Sequence, residues 1–266
     1  MKKILAVLFS AVMCLAMSSC VMVNTGYTYD NHSEYKTGGA EIADEILYLD
    51  VSWVAGSVSV VEYEGESISF EEDSAKPLTA QKKMRYWYDR SCKTLFIKFC
   101  ESSFHINDLN KNLYIYVPKG YVFNKVDFDV VSSDVSLKAI NSTVFNANSV
   151  SGDLTIETGA TESIEVNSVS GDLFVTAAYL DALDFDTVSG NCDISLTSGK
   201  YIEMDSVSGD LNLYLPKELG FYLEANTRGR IDYNMEVDRR GKTYTYGSKE
   251  LHIDYDSTSG DVSVNN

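Results

Sequence analysis

Val150-Ser151-Gly152-Asp153-Leu154 returns as Val169-Ser170-Gly171-Asp172-Leu173, as Val188-Ser189-Gly190-Asn191-Cys192 and as Val207-Ser208-Gly209-Asp210-Leu211. The step between copies is 19 residues. Upstream, Val131-Ser132-Ser133-Asp134 keeps the step with Ser in place of Gly. Downstream, a degenerate copy, Thr227-Arg228-Gly229-Arg230, precedes Thr258-Ser259-Gly260-Asp261, 31 residues further on. A fixed period of this length marks stacked repeats and is read before any local propensity.

The apolar positions keep the same register. Two and four residues after each glycine position stand Val135 and Leu137, Leu154 and Ile156, Leu173 and Val175, Cys192 and Ile194, Leu211 and Leu213, with mostly polar residues between them. Later in each repeat come Phe145 and Ala147, Ile164 and Val166, Leu183 and Phe185, Ile202 and Met204, Phe221 and Leu223. This period of two is that of a strand with one buried face. No run keeps helical spacing, and one repeat has too few apolar residues for its own core. Stacked repeats share one, so the expected fold is all-β: a β-solenoid of 19-residue repeats with two short strands per turn. The glycine is expected to turn the corner with positive φ, and the Asp after it to bond local backbone N–H groups. These corner residues, Gly152, Asp153, Gly171, Asp172, Gly190, Asn191, Gly209, Asp210, Gly260 and Asp261, are read as structural. Asp238-Arg239-Arg240-Gly241-Lys242 has hairpin-turn composition and predicts an inserted, projecting hairpin near the C-terminus.

The N-terminal half is a weaker version of the pattern. Leu49 and Val51 alternate with Tyr48, Asp50 and Ser52. Glu64-Gly65-Glu66 is a turn, and the alternating runs of Met84, Tyr86, Tyr88, then Leu95, Ile97, Phe99, then Leu113, Ile115, Val117 read as further strands.

Lys2 and Lys3 precede an apolar run from Ile4 to Met17, then Ser18-Ser19-Cys20. That is the layout of a secretory signal over residues 1–19, too short for a bilayer span of about 20 residues. The small-small-Cys ending resembles a bacterial lipobox, with Cys20 as the lipidated first mature residue. The polar stretch that follows, with residues 20–40 taken together, is expected to be a flexible tether, and 41–266 a single domain. Five cysteines leave three after Cys14 and Cys20: Cys92, Cys100 and Cys192, with no metal-ligand spacing. On one extended strand Cys92 and Cys100 would stand about 26 Å apart at ~3.3 Å per residue, so no disulfide framework is expected.

The net charge of -17, from 22 basic and 39 acidic residues, excludes a nucleic-acid partner, and charge alone would not draw the chain to anionic lipid. Among chemistry-bearing residues, the Asp column is the strongest candidate for a calcium ladder or a carboxylate site. One carboxylate per 19 residues, interrupted by Asn191, reads instead as a set of corner caps. His32, His105 and His252 form no zinc motif, and no nucleophile elbow or phosphate loop occurs. No catalytic residue, metal or cofactor is expected, and no ligand-binding residue is assigned. Arg85-Tyr86-Trp87-Tyr88-Asp89-Arg90 is the one segment with the composition of an aromatic sugar platform, though alternation sends Tyr86 and Tyr88 to one face and Trp87 to the other.

The SVSGDL segments at 149–154 and 168–173, the VPKG strand end at 117–120 and the AGSVSV run at 55–60 resemble a widespread bacterial domain of unknown function labelled a putative adhesin. The resemblance covers roughly Glu45 to Asn266. It departs from the family pattern at Ser133, Asn191, Arg228 and the inserted hairpin. It implies a β-solenoid at the cell envelope without known catalytic residues. The expected protein is thus an exported, acidic envelope lipoprotein, anchored in the outer membrane through Cys20. Its role is expected to be adhesin-like or scaffolding and non-enzymatic, with an envelope polysaccharide or another surface protein as partner. The alternative is a carbohydrate-binding or polysaccharide-acting protein using an open solenoid face.

Overall fold

A computed structural model describes residues 26–106 and 109–266. The signal segment and Cys20 lie outside the described residues. Nearly every described element is a strand. The central coils run Leu154–Ser168, Leu173–Thr187 and Cys192–Ser206, each hydrogen-bonded in parallel to the next. Leu154 stands opposite Leu173 and Leu173 opposite Cys192, so the ladder register equals the sequence repeat. Leu173, Leu183, Cys192, Ile194 and Ile202 are fully buried. At roughly 1.5–3 kcal/mol per buried large apolar side chain, these stacked columns are the main stabilising term.

Each of these three central coils is one long strand bent over a corner, while the next coil has the expected two short strands, Leu211–Tyr214 and Phe221–Asn226. The ladder skips Gly159 and Glu162 but resumes at once on either side. The small and polar residues Gly159-Ala160-Thr161 turn the chain there without leaving the extended region, and the Thr161 hydroxyl donates to the Thr143 carbonyl at 3.0 Å. In these three coils only the Gly-Asp or Gly-Asn corner breaks the strand. The coil therefore has two flats joined by one soft and one sharp corner.

The C-terminal coils do not stack in sequence order. The strand Leu251–Ser257 lies between Cys192–Ser206 and Phe221–Asn226, parallel to both. On the other flat, Val262–Asn265 lies between Leu211–Tyr214 and Ile231–Tyr233. The chain skips one coil position, builds the outermost coil, and returns to fill the gap. The hairpin Asp238–Arg240 with Thr243–Tyr246 occurs where turn composition placed it. It does not project: it adds antiparallel to Phe221–Asn226 and closes that flat.

The N-terminal end reverses in the same way. Tyr48–Tyr63 lies between Val122–Lys138 on one side and Thr94–Lys98 and Lys111–Pro118 on the other, all parallel. Antiparallel strands then close both flats: Arg85–Asp89 and Lys36–Thr37 on one, Ile68–Asp73 and Ala40–Ile42 on the other. Residues 26–40 are thus not a free tether. Tyr27 is 1% exposed, forms a bridge to Phe104 and donates its hydroxyl to the Ser52 carbonyl. The Tyr29 hydroxyl donates to the Cys100 carbonyl at 3.1 Å. An aromatic residue at every second position, Tyr27 and Tyr29, is the signal that the polar composition masked.

Candidate functional site

The Asp and Asn side chains of the corners form a column whose bonds run from coil to coil. The Asp153 backbone N–H donates to Asp134 Oδ1 at 3.0 Å, Asp172 N–H to Asp153 Oδ1 at 3.0 Å, and Asn191 N–H to Asp172 Oδ1 at 2.7 Å. Asp210 N–H donates to Asn191 Oδ1 at 3.0 Å, so the amide performs the same task as the carboxylate. The ladder continues from Asp261 N–H to Asp210 Oδ1 at 2.7 Å, and from Arg230 N–H to Asp261 Oδ1 at 2.6 Å. Thr227-Arg228-Gly229-Arg230 is therefore the last member of the column, although it precedes Thr258-Ser259-Gly260-Asp261 in the chain. Arg230 closes the column by donating from Nε and Nη2 to Asp261 Oδ2 at 3.3 and 3.0 Å. Bonds from Arg230 hold the Asp261 carboxyl below its ordinary pKa.

The glycines are required for a different reason from the one expected. Among Gly152, Gly171, Gly190, Gly209 and Gly260, only Gly152 has positive φ, at 118°. At Gly171 a Cβ would fall under 3.0 Å from the Gly152 carbonyl oxygen, closer than real Cβ atoms come. The same collision recurs at Gly190, Gly209 and Gly260 against the glycine stacked beneath. Close approach of backbones, not a left-handed turn, excludes a side chain. The local cap of the corner is the residue three before the glycine: Ser168 and Thr187 accept from Gly171 and Gly190 N–H, each at 2.9 Å. Sequence reasoning passed over these hydroxyls, although they keep the 19-residue register.

The second flat, built by residues 163–168, 182–187, 201–206, 251–257 and 221–226, has an acidic outward face. Glu165, Asp184, Glu203, Asp254 and Glu224 stand side by side on successive strands. Asp186, Asp205 and Asp256 form a second column beside them, between Asn167 and Asn226. Spaced at about 4.8 Å, neighbouring carboxylates repel by only about 1 kcal/mol in water, which the shared core offsets. Tyr201, His252 and Tyr222 border the acidic columns, with ring centroids 5.8 and 4.6 Å apart. The Tyr201 hydroxyl donates to Glu203 Oε2 at 2.8 Å. Among the described residues no three His, Cys, Asp or Glu side chains converge as metal ligands.

At the N-terminal end the two closing sheets leave an open pocket of about 630 Å³, lined in part by Glu41, Asp44, Tyr86, Trp87, Tyr88 and Arg90. Trp87 stacks on Phe96 with centroids 5.2 Å apart and meets the edge of Tyr35. Tyr86 packs edge-on to Phe70, and the Tyr88 hydroxyl donates to the Glu45 carbonyl at 2.7 Å. Arg90 pairs with Asp44 at 3.0 Å. The segment's aromatic residues are thus divided between packing and pocket wall.

Behind this end lies a group the sequence reading did not single out. Lys111 is 1% exposed, and its ammonium donates to Glu72 Oε2 at 2.7 Å, to the Lys82 carbonyl at 2.8 Å and to the Phe99 carbonyl. The rings of Trp53 and Phe99 flank it at 4.8 and 4.4 Å. Burial pulls its pKa down, opposed by Glu72. It occupies the inward phase of the alternating run Lys111-Leu113-Ile115-Val117, the one legible sign of its position. The thiol of Cys192 fills a place in the leucine column and burial raises its pKa well above the ordinary value. Cys92 and Cys100 flank the strand Thr94–Lys98 and are not joined by a disulfide, the first exposed and the second buried.

The model of the family described as Toastrack DUF4097 matches residues 57–266. No curated protein matches the chain. The solved structures similar to it include the following three. A putative cell adhesion protein from Clostridium sporogenes is 12% identical, covering 86% of this chain and 99% of its own, with a TM-score of 0.37. A putative adhesin from Bacteroides fragilis is 11% identical over 86% of this chain and 97% of its own, with a TM-score of 0.48. Another from Parabacteroides merdae is 11% identical over 87% and 96%, with a TM-score of 0.38.

Proposed function

The chain belongs to the Toastrack DUF4097 family, and we propose that it is a non-catalytic, adhesin-like or scaffolding lipoprotein, anchored at the cell envelope through Cys20. The observation that supports a binding role is the outward face of the second flat. Rigid coils hold two acidic columns and an aromatic border in fixed register, so a partner meets the same chemistry at every step. A rigid face loses little side-chain freedom on binding, which favours weak contacts summed over many coils. Its partner in this reading is another surface protein or an envelope polysaccharide.

The test is capture from intact cells with wild-type bait and with bait carrying Asp184→Asn, Glu203→Gln, Asp254→Asn and Glu224→Gln. The variant should melt like wild type and lose its captured partner. Equal capture by both baits would sink the acidic face as the binding surface. Lipid anchoring is tested separately: Cys20→Ala should move the protein from membrane to soluble fraction, and retention on salt-washed membranes would rule it out.

The pocket at the N-terminal end favours a second reading, a carbohydrate-binding protein. Aromatic rings beside carboxylates and an arginine are the groups that receive sugar C–H faces and hydroxyls. A glycan array probed with wild type and Trp87→Ala decides it: binding lost in the variant supports this reading, and no binding by wild type removes it.

A further inference from the structure

The described chain begins at Gly26, and Tyr27 is already locked in place. Its carbonyl accepts from Ser103 N–H at 2.5 Å, its N–H donates to Phe104 O at 2.9 Å, and its ring is buried. Six residue steps separate Gly26 from Cys20, and a chain of that length reaches at most about 20 Å even when fully extended. At about 4.8 Å per strand the stacked coils form a rod of roughly 60 Å. The chain enters this rod at its N-terminal end. Ser103 and Phe104 follow Glu101, whose N–H donates to the Gln81 carbonyl at 3.0 Å, so the entry point adjoins the loop 74–83 that crosses between the two closing sheets. That loop carries Lys76, Lys82 and Lys83, the first and last exposed, with Pro77 and Leu78 among them. Further along the rod is acidic: between 126 and 226, 17 acidic residues stand against Lys138, Lys200 and Lys217.

We infer that the N-terminal end, with the loop 74–83, is a docking surface for a lipid bilayer. The rod stands on the membrane by this end, its acidic coils and C-terminal hairpin pointing away. The inference rests on the lipoprotein reading of Cys20. A lipid at Cys20 holds the entry point within about 20 Å of the headgroups, while the far end of a 60 Å rod can approach only if the rod lies flat. Lying on the second flat would bring the acidic columns against the surface, which anionic headgroups oppose. Standing brings the lysines of the loop 74–83 to those headgroups.

The experiment uses the full lipidated protein reconstituted in bilayers of phosphatidylethanolamine and phosphatidylglycerol. In a Cys92→Ser background, Lys83→Cys and Arg240→Cys variants carry an environment-sensitive dye, and lipids with headgroup nitroxides quench it. Strong quenching at position 83 and none at 240 is expected, with a protein layer of about 60 Å by neutron reflectometry. Equal quenching at both positions, or a layer of about 25 Å, overturns the standing orientation. Intact mass measures the premise independently. Absence of a diacylglyceryl adduct on Cys20 overturns both the anchor and the docking; the adduct together with quenching at 240 overturns the orientation alone.

Discussion

The middle of the rod and its two ends solve the same problem with different means. In the middle, each coil is covered by a near copy of itself, so one residue type per column suffices: leucine over leucine inside, glycine over glycine at the sharp corner, carboxylate beside carboxylate outside. At the ends no copy follows. The chain turns back into its own ladder, adds antiparallel strands, and brings in side chains that the repeat does not contain, such as Trp53, Phe99 and Lys111. Exposed strand edges invite pairing with other chains, and short antiparallel closers with charged residues, Lys36–Thr37 and Asp238–Arg240, leave little edge to pair with. Periodicity thus carries the interior of a solenoid, and departure from periodicity carries its termination.

The largest expected effect tests the middle. Ile164 is fully buried in a column of Phe145, Ile164 and Leu183, while Glu165 beside it is exposed. Ile164→Asp places a carboxylate where nothing can pair with it, and should cost about 4 kcal/mol or more or abolish folding. Glu165→Lys should change stability by less than about 0.5 kcal/mol. Denaturant melts of the two variants measure both, and the opposite ranking would mean that inner and outer faces are exchanged.

The next effect tests the N-terminal end. Lys111→Met removes the cation that satisfies Glu72, Lys82 and Phe99, and strands a buried carboxylate; a loss of about 3–5 kcal/mol is expected. Adding Glu72→Gln should recover a large part of it, because the amide oxygen still accepts from Met84 N–H, as Glu72 Oε1 does at 2.9 Å. If the double variant were as unstable as the single one, the pair would not be the interaction that matters there. The middle has no analogue of this cycle, since its columns contain no buried ion pair among the described residues.

How far each region could be read beforehand follows from the same contrast. Parallel register, inward columns and the hairpin at 238–242 were legible because each is a local pattern copied at fixed spacing. The order of the last two coils was not. Gly229 precedes Gly260 in sequence but stacks outside it, and no local propensity encodes which of two similar corners a third one covers. The Arg at 230, ending a column of carboxylates, is the one hint: a cation belongs where the column stops. At the corner glycines a period identifies a residue that must be small without saying whether φ or a neighbour demands it. The docking of 26–40 was hidden by polar composition, and Lys111 by the habit of reading lysine as exposed.

Glycine separates the two regions directly. Gly171→Val drives a branched side chain into the Gly152 carbonyl of the coil beneath, and should cost about 3 kcal/mol. Gly120, in the turn between Lys111–Pro118 and Val122–Lys138, has φ of 73° and open space around it. Gly120→Ala should cost only the left-handed backbone penalty, about 1 kcal/mol. Equal effects in thermal melts would mean that backbone conformation, not stacking, governs the corner.

The smallest effect concerns the point where the middle meets the C-terminal end. Asp261 accepts from Arg230 N–H and pairs with its guanidinium, and these bonds depress its carboxyl pKa in the folded chain. A depressed folded value means stabilisation that is fully present above the unfolded Asp value of about 3.9 and is lost as pH falls through the lower folded value. Because the pair is exposed, the global melt should barely respond. The local response is the informative one: amide exchange at Arg230 and along Ile231–Tyr233 should quicken as pH is lowered below about 4, after correction for the intrinsic rate. Asp261→Asn keeps the Oδ1 acceptor, as Asn191 does in the middle of the column, but removes the titrating charge. In that variant the outermost corner should show no acid step while remaining in place. Retention of the acid step in Asp261→Asn would assign it to another carboxylate and leave Arg230 without its role as the end of the column.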